Sequence, residues 1–429
     1  MINFLKKQIN QIYTTGFNTF IFKIKKFFFI SFILLIAVLF IPFFIIIRII
    51  SNFFLVRFGS LPSNRIGHFA NDVNLYICCV KKNNFILDLF YLQKPVCNYE
   101  LLKLFKNYLF IFPKLFIVPF VMLNRIKFLG NAKHNIILTE VTGMNLRNRD
   151  FFNNNYHFNK KDILYGKSFL RSMGINKDDK FVCLIVRDSE YLKYHEPYKN
   201  WDYHNYRDCN IENFKLVSDY LTSLGYYVFR MGVKVSKPMF TNNKKIIDYA
   251  TAGMRNEFLD LFLSAHCEFC ISTSSGFDAL PEMFNKPIVV VSVAPVVGIR
   301  STNKKHLSII RHYLNSSNKK PISLSQIFDL NIAGVWDSRI FINKGVDLVE
   351  NTPEEIKDAT IEMLNLMQNN FLRDQTQEFL ELKFWKLFSD KIMEYGFKDK
   401  YNGFKDKYSS FFKAHIGENF LKKNMNFLN

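Results

Sequence analysis

No two of the 17 glycines lie two residues apart, so the GxGxxG turn that lets a dinucleotide pyrophosphate approach a helix start is absent. The Walker pattern GxxxxGK[ST] is missing as well. Both absences argue against dinucleotide-dependent oxidoreductases and P-loop ATPases. Nor does any Asp-x-Asp occur, the carboxylate pair with which many diphosphate sites hold a divalent ion. The seven cysteines are an odd count in a long chain and imply no disulfide framework. Cys267 and Cys270 form a CxxC after His266, but no second ligand pair stands at zinc spacing, so neither a metal nor another cofactor is expected. Reduced thiols suit a cytosol-facing body.

What is present is length, apolarity and positive charge. A chain of 429 residues, 49% of them hydrophobic, is long enough for two domains with full cores. Its net charge of +20 attracts anionic lipid, nucleotide phosphates or nucleic acid alike, or simply solvates a lysine-rich surface. Charge alone would carry a nucleic-acid reading, and no basic-aromatic module supports one. Phe27–Ile47 is an uncharged run whose length as one helix, roughly 31 Å, would cross a bilayer core. Lysines precede it (Lys6, Lys7, Lys23, Lys25, Lys26) and arginines follow it (Arg48, Arg57, Arg65), a balance that slightly favours a cytosolic N-terminus. Pro42 allows the alternative of a bent segment that enters and leaves on the cytosolic face. That alternative fits a body that needs cytosolic substrates. A second apolar stretch, Tyr108–Leu123, carries Pro113, Lys114 and Pro119 and reads as a buried strand and loop.

Four segments follow: a membrane anchor over 1–51, a first α/β domain over 52–178, a second over 179–365, and a basic helical tail over 366–429. The second domain has the clearest pattern. Apolar strand-length runs at Phe181–Val186, Tyr226–Met231, Glu268–Ser272 and Pro287–Ser292 alternate with helical faces at Glu212–Leu224, Glu257–Ala265 and Phe277–Phe284. Such alternation predicts a parallel sheet covered by helices, with its ligand at the C-terminal strand ends. Arg187 and Asp188, then Arg230 and Gly232, then Ser272-Thr273-Ser274-Ser275-Gly276 occupy those ends. The Ser-rich loop enters a helix, where hydroxyls and backbone N–H groups suit phosphate oxygens, although the same residues make an ordinary N-cap. Two arginines at neighbouring strand ends add fixed positive charge for a diphosphate leaving group without a metal.

The stretches FVCLIVRDSEYL (Phe181–Leu192), YRDCNIENF (Tyr206–Phe214), GYYVFRMG (Gly225–Gly232) and DYATAGMRNEFLDLFLSAHCEFCISTSSG (Asp248–Gly276) resemble a bacterial glycosyltransferase family. That family belongs to cell-surface polysaccharide and lipopolysaccharide synthesis. NRIGHFANDVNLY (Asn64–Tyr76) and GVDLVENTPEEIKDATIEM (Gly345–Met363) are similar to its first-domain loop and closing helix. The wider pattern resembles GT-B enzymes, including GDP-fucose-using fucosyltransferases, although Ile185-Val186-Arg187 stands where those enzymes often show His-x-Arg.

The resemblance implies an α/β, GT-B-like fold: two Rossmann-like domains with parallel sheets facing a cleft, plus the N-terminal membrane helix. It implies transfer of a sugar from a UDP- or GDP-sugar to a lipid-linked or cell-surface glycan, at the cytoplasmic face of a bacterial inner membrane. Arg187 and Ser272, Thr273, Ser274, Ser275 and Gly276 would hold the donor diphosphate. Arg230 and Arg255 would assist, and Glu282 would meet the ribose. An acceptor hydroxyl needs a base, and His68 with Asp72 in the RIGHFAND element is the candidate, with Asp188 as another. The rival reading is a non-catalytic sugar-nucleotide or polysaccharide-binding component of a membrane assembly.

Overall fold

The structure is a computed structural model and describes residues 17–79, 83–126, 131–138, 156–197, 199–301, 303–368, 375–395 and 412–429. Lys6 and Lys7, and the repeated GFKDKY of the tail at 396–408, lie outside them. The chain divides into two compact units, one of 1–65, 80–141 and 192–200, the other of 66–79, 142–191 and 201–429.

The first unit opens with helices α1 (Phe17–Leu39) and α2 (Ile41–Ile50), followed by strand β1 (Leu55–Leu61). The expected membrane helix is not one helix. It breaks at Phe40 and bends by 59°, and among the described residues no single helix is long and apolar enough to cross a membrane. Pro42 explains the break: it has no N–H to offer the Val38 carbonyl, and its ring would meet that carbonyl in a continuous helix. It is well tolerated at the second position of α2.

The chain then forms helix α3 (Ile66–Cys79), which clusters with the second unit, and returns for β2 (Ile86–Leu92), β3 (Phe110–Ile111), helix α4 (Lys114–Leu123) and β4 (Asn135–Ile136). These strands form a parallel sheet in the order β3-β2-β1-β4. Across it, Arg57 and Asp88 sit in register and form a two-pronged ion pair with contacts of 2.6 and 2.7 Å.

Of the buried strand and loop expected over Tyr108–Leu123, the strand is present as β3, although not buried, and the loop is replaced by a helix. Pro113 starts a ten-residue helix that tolerates Pro119 inside it. The helix forms because one face carries Ile117, Phe120 and Leu123 into a core with Ala37, Phe44, Val56 and Phe58. Phe120 stacks on Phe58 at a centroid distance of 4.7 Å and meets Phe40 edge-on at 5.3 Å.

The second unit carries, after helix α5 (Lys160–Ser172), β5 (Phe181–Ile185), α6 (Lys215–Ser223), β6 (Tyr227–Met231), β7 (Ile246–Ile247), α7 (Glu257–His266) and β8 (Cys270–Ser272). Helix α8 (Ala279–Met283), β9 (Ile288–Val293) and β10 (His306–Ile310) come next. A small antiparallel pair, β11 (His312–Asn315) and β12 (Val346–Val349), precedes α9 (Pro353–Leu366). The tail adds α10 (Gln375–Glu394), β13 (His415–Ile416) and α11 (Glu418–Lys423). The tail is therefore more than a helix: β13 extends the main sheet by pairing with β10.

That sheet is parallel throughout, in the order β13-β10-β9-β8-β5-β6-β7. Strands β5, β8 and β9 are buried at every position, as expected of runs covered on both faces. From β5 the chain proceeds to one side through β6 and β7, and from β8 to the other through β9 and β10. The winding therefore reverses between β5 and β8, and this reversal opens the crevice in which α/β sheets bind ligands.

Because Phe120 is sandwiched between Phe58 and Phe40, Phe120→Ala should destabilise the first unit by about 3–5 kcal/mol, read as a lower unfolding midpoint in urea. A change under about 1 kcal/mol would mean that the stack contributes little beyond ordinary burial.

Candidate active site at the sheet reversal

The two strands flanking the reversal are tied together just past their ends. Thr273 donates its N–H to the Ile185 carbonyl at 3.1 Å, and its Oγ1 accepts the Arg187 N–H at 2.8 Å. Ser272 is buried and donates to the Asp278 carboxylate at 2.8 Å. Ser274 adopts a left-handed φ of 57°, which turns the chain sharply. Ser275 caps the 3-10 turn Gly276–Asp278 by accepting from the Phe277 N–H at 3.3 Å. Ser272 and Thr273 are thus committed to holding the loop, while Ser274 and Ser275 are half-buried and Gly276 is exposed. The presented surface is Ser274-Ser275-Gly276 at the start of a helical turn, where backbone N–H groups favour an anion.

Beneath the loop lies a buried ion cluster. Arg300 bonds to both Asp278 and Glu282. Burial pushes the Asp278 carboxyl up from its ordinary value, with Arg300 pulling the other way. Burial alone would lower the Arg300 guanidinium, but the two carboxylates outweigh it and raise it. Removing one partner of such a cluster typically costs about 3–5 kcal/mol. Glu282 is therefore part of the loop's foundation, buried and occupied by Arg300.

The arginines divide by their partners. Arg187 is buried, bonded to the Asp208 carboxylate and 3.3 Å from the His204 carbonyl. Burial raises the Asp208 carboxyl, opposed by Arg187. Arg230 is buried one strand further out and pairs with Asp248 at 3.2 Å. Asp248 in turn accepts the Met239 N–H at 2.7 Å, so Arg230 braces the connection between β6 and β7. Arg255 pairs with the buried Asp260 at 2.6 Å. Burial, opposed by Arg255, brings the Asp260 carboxyl up to about 6. Arg230 and Arg255 are thus held by their own carboxylates. Asp188 accepts N–H groups from Glu190 at 3.0 Å and Ser236 at 2.8 Å, which makes it a turn cap.

The RIGHFAND element, expected as a loop of the first domain, is instead, from Ile66 onward, the start of α3, in the second unit. It packs directly on the Ser loop. A Cβ placed on Gly67 would stand 2.7 Å from the Gly276 Cα and 3.0 Å from its carbonyl oxygen. Only hydrogen fits there. The next residue, His68, is half-exposed at 52%, and its Nδ1 lies 3.1 Å from the Asp72 carboxylate one turn on. A carboxylate accepts, so the Nδ1–H donates and Nε2 is left as the acceptor. Further along α3, Asn74 is fixed by the Tyr156 hydroxyl at 2.7 Å. An imidazole oriented by a carboxylate therefore stands one residue from the contact with the Ser loop.

Two contributors were missed by sequence reasoning. Arg311 follows β10 by one residue, and the strand-end rule that picks out Arg187 would have found it had HLSII been read as a strand. Arg207 ends the 3-10 segment Asp202–Arg207, which has no periodicity to mark it. The CxxC cysteines are buried in the core with Cys183, and among the described residues no His, Cys, Asp or Glu group is arranged to hold a metal.

No family model and no curated protein matches the sequence. Solved structures with a similar chain course include E. coli ADP-heptose lipopolysaccharide heptosyltransferase II, at 12% identity and a TM-score of 0.36, covering 72% of this chain and 98% of that one. The glycosyl transferase family 9 structure from Veillonella parvula matches at 11% identity and a TM-score of 0.39, covering 72% and 96%. E. coli heptosyltransferase WaaC with ADP-2-deoxy-2-fluoro heptose matches at 10% and 0.32, covering 64% and 96%. Similarity at this level leaves the functional assignment to the site.

Gly67→Ala should force α3 and the Ser loop apart and cost on the order of 1–3 kcal/mol. The check is a fall in melting temperature of the full chain. An unchanged melting temperature would show that the two segments are not pressed together.

Proposed function

We propose that the protein is a glycosyltransferase that takes its sugar from a nucleoside-diphosphate donor. The observation that carries this reading is the contact, at the sheet reversal, between an anion-suited Ser loop and the start of the helix that carries an imidazole oriented by a carboxylate. The Ser274–Gly276 turn receives the diphosphate, and positive side chains and N–H dipoles stabilise it as it leaves. His68 Nε2 takes the proton of an acceptor hydroxyl, with Asp72 stabilising the imidazolium. The acceptor oxygen then bonds to the anomeric carbon as the bond from that carbon to the diphosphate oxygen breaks, and the nucleoside diphosphate departs with the electron pair. No divalent ion is assigned a role. The donor is a UDP- or GDP-sugar, and the acceptor a lipid-linked or cell-surface glycan of the lipopolysaccharide type.

The first unit supports a membrane setting for that acceptor. Helices α1 and α2 bury one stripe, including Ile33, Ala37 and Phe44, yet leave Leu35, Leu39, Phe43, Ile46 and Ile49 exposed on the other side. Leu115 and Phe116 of α4 are exposed apolar residues of the same unit. Apolar area of this extent suits lipid better than water, and the 59° bend suits a segment that dips into one leaflet. The body then lies on the cytoplasmic face of a bacterial inner membrane.

Two measurements test these readings. With a panel of UDP-, GDP- and ADP-sugars, the full chain should slowly hydrolyse or transfer from one of them. His68→Ala should lower that turnover by about 10²–10⁴-fold while leaving donor binding intact. Tight donor binding with no turnover for any acceptor would favour a non-catalytic binding component instead. In a second assay, the chain should float with anionic liposomes, and a Leu35→Glu, Phe43→Glu double variant should remain at the bottom of the gradient. Equal flotation of both would contradict the membrane reading.

A further inference from the structure

The arginine at the strand end is not the one best placed to meet a ligand. Arg187 is buried against Asp208, and its own carbonyl accepts the Cys209 N–H at 3.0 Å. Arg311, also buried, donates to the Tyr206 carbonyl and, at 2.8 Å, to the Asp208 carbonyl. These two guanidiniums therefore grip the chain on both sides of residue 207. The side chain they deliver, Arg207, reaches the loop itself: its Nη2 donates to the Ser274 carbonyl. Its guanidinium also lies over the Trp336 ring, 5.4 Å from the centroid, and Trp336 is exposed. Arg207 is half-buried where Arg187 and Arg311 are buried, so a ligand seated on Ser274-Ser275-Gly276 meets Arg207 first.

We infer that Arg207 is the residue that binds the donor's diphosphate, and that Arg187 and Arg311 are positioning residues that hold its backbone in place. The inference rests on the nucleotide-sugar reading and assigns the anion contact within it. The chemistry is a planar fork of N–H donors matched to two phosphate oxygens, held over an aromatic face that restricts its motion. The use of arginine at positions 187 and 311 follows from geometry as well. Arg311 must reach the Tyr206 and Asp208 carbonyls, and Arg187 the His204 carbonyl and the Asp208 carboxylate, each from a buried strand end, and a guanidinium can serve several acceptors at once.

The experiment titrates UDP, GDP and ADP, and the matching nucleosides, into the full chain by calorimetry. Arg207→Gln is expected to weaken the best nucleoside diphosphate by about tenfold or more, with little change in melting temperature. Its affinity for the nucleoside should stay within about twofold of the unaltered chain. Arg207→Lys should recover part of the loss, since it keeps the charge but not the fork. Arg187→Gln should lower the melting temperature and nucleotide affinity together. If Arg207→Gln binds the diphosphate as well as the unaltered chain does, or if Arg187→Gln abolishes binding at an unchanged melting temperature, the assignment is overturned. If the unaltered chain binds none of the three diphosphates, the nucleotide-sugar reading itself fails and takes this inference with it.

Discussion

The site depends on a contact between two glycines. Gly67 and Gly276 approach so closely that neither helix start could carry a side chain toward the other without displacing backbone. That contact brings the start of α3, whose next residue is the Asp72-oriented His68, against a turn whose N–H groups suit an anion. Either segment alone is ordinary: a helix with an i, i+4 His–Asp pair, and a Ser-rich cap. In the proposed function this arrangement supplies both a base and a leaving-group site, and the missing β-carbon of Gly67, which would meet the Gly276 backbone, makes it possible.

Four arginines around the strand ends serve construction. Arg230, Arg255 and Arg300 each meet a buried or half-buried carboxylate, and Arg187 meets Asp208. A guanidinium stays charged when buried, so each such pairing fixes a connection with several directed bonds. The consequence is a braced rim at the C-terminal strand ends, which the proposed function uses to stabilise a departing diphosphate. The two connections that converge on the loop, through Asp278 below and through Tyr206–Asp208 beside it, both end on arginine.

The sequence was most legible where burial is complete. β5, β6, β8 and β9 stand out as apolar runs because both faces of a central parallel strand are covered, and the predicted runs match the strands to within about two residues. Strand ends then point to Arg187 and the Ser loop. Strand order is not written in any local pattern, so the reversal between β5 and β8 emerges only in three dimensions. The RIGHFAND element was legible as a candidate, but its partner was not, because no rule of periodicity links Gly67 to Gly276. Arg207 escaped notice on a short 3-10 segment, and Arg311 escaped behind a strand that carries His306 and Ser308 among its apolar residues. Pro42 pointed correctly to a bend in the N-terminal apolar run, since a proline's missing N–H acts locally and needs no tertiary knowledge.

Amide hydrogen exchange of the full chain, with and without saturating nucleoside diphosphate, tests the central claim most directly. A ligand on the Ser loop should slow exchange in 272–278 and, through the Gly67 contact, at the start of α3 over 66–72. Protection confined to other segments, with both of these unchanged while nucleotide is bound, would contradict the account.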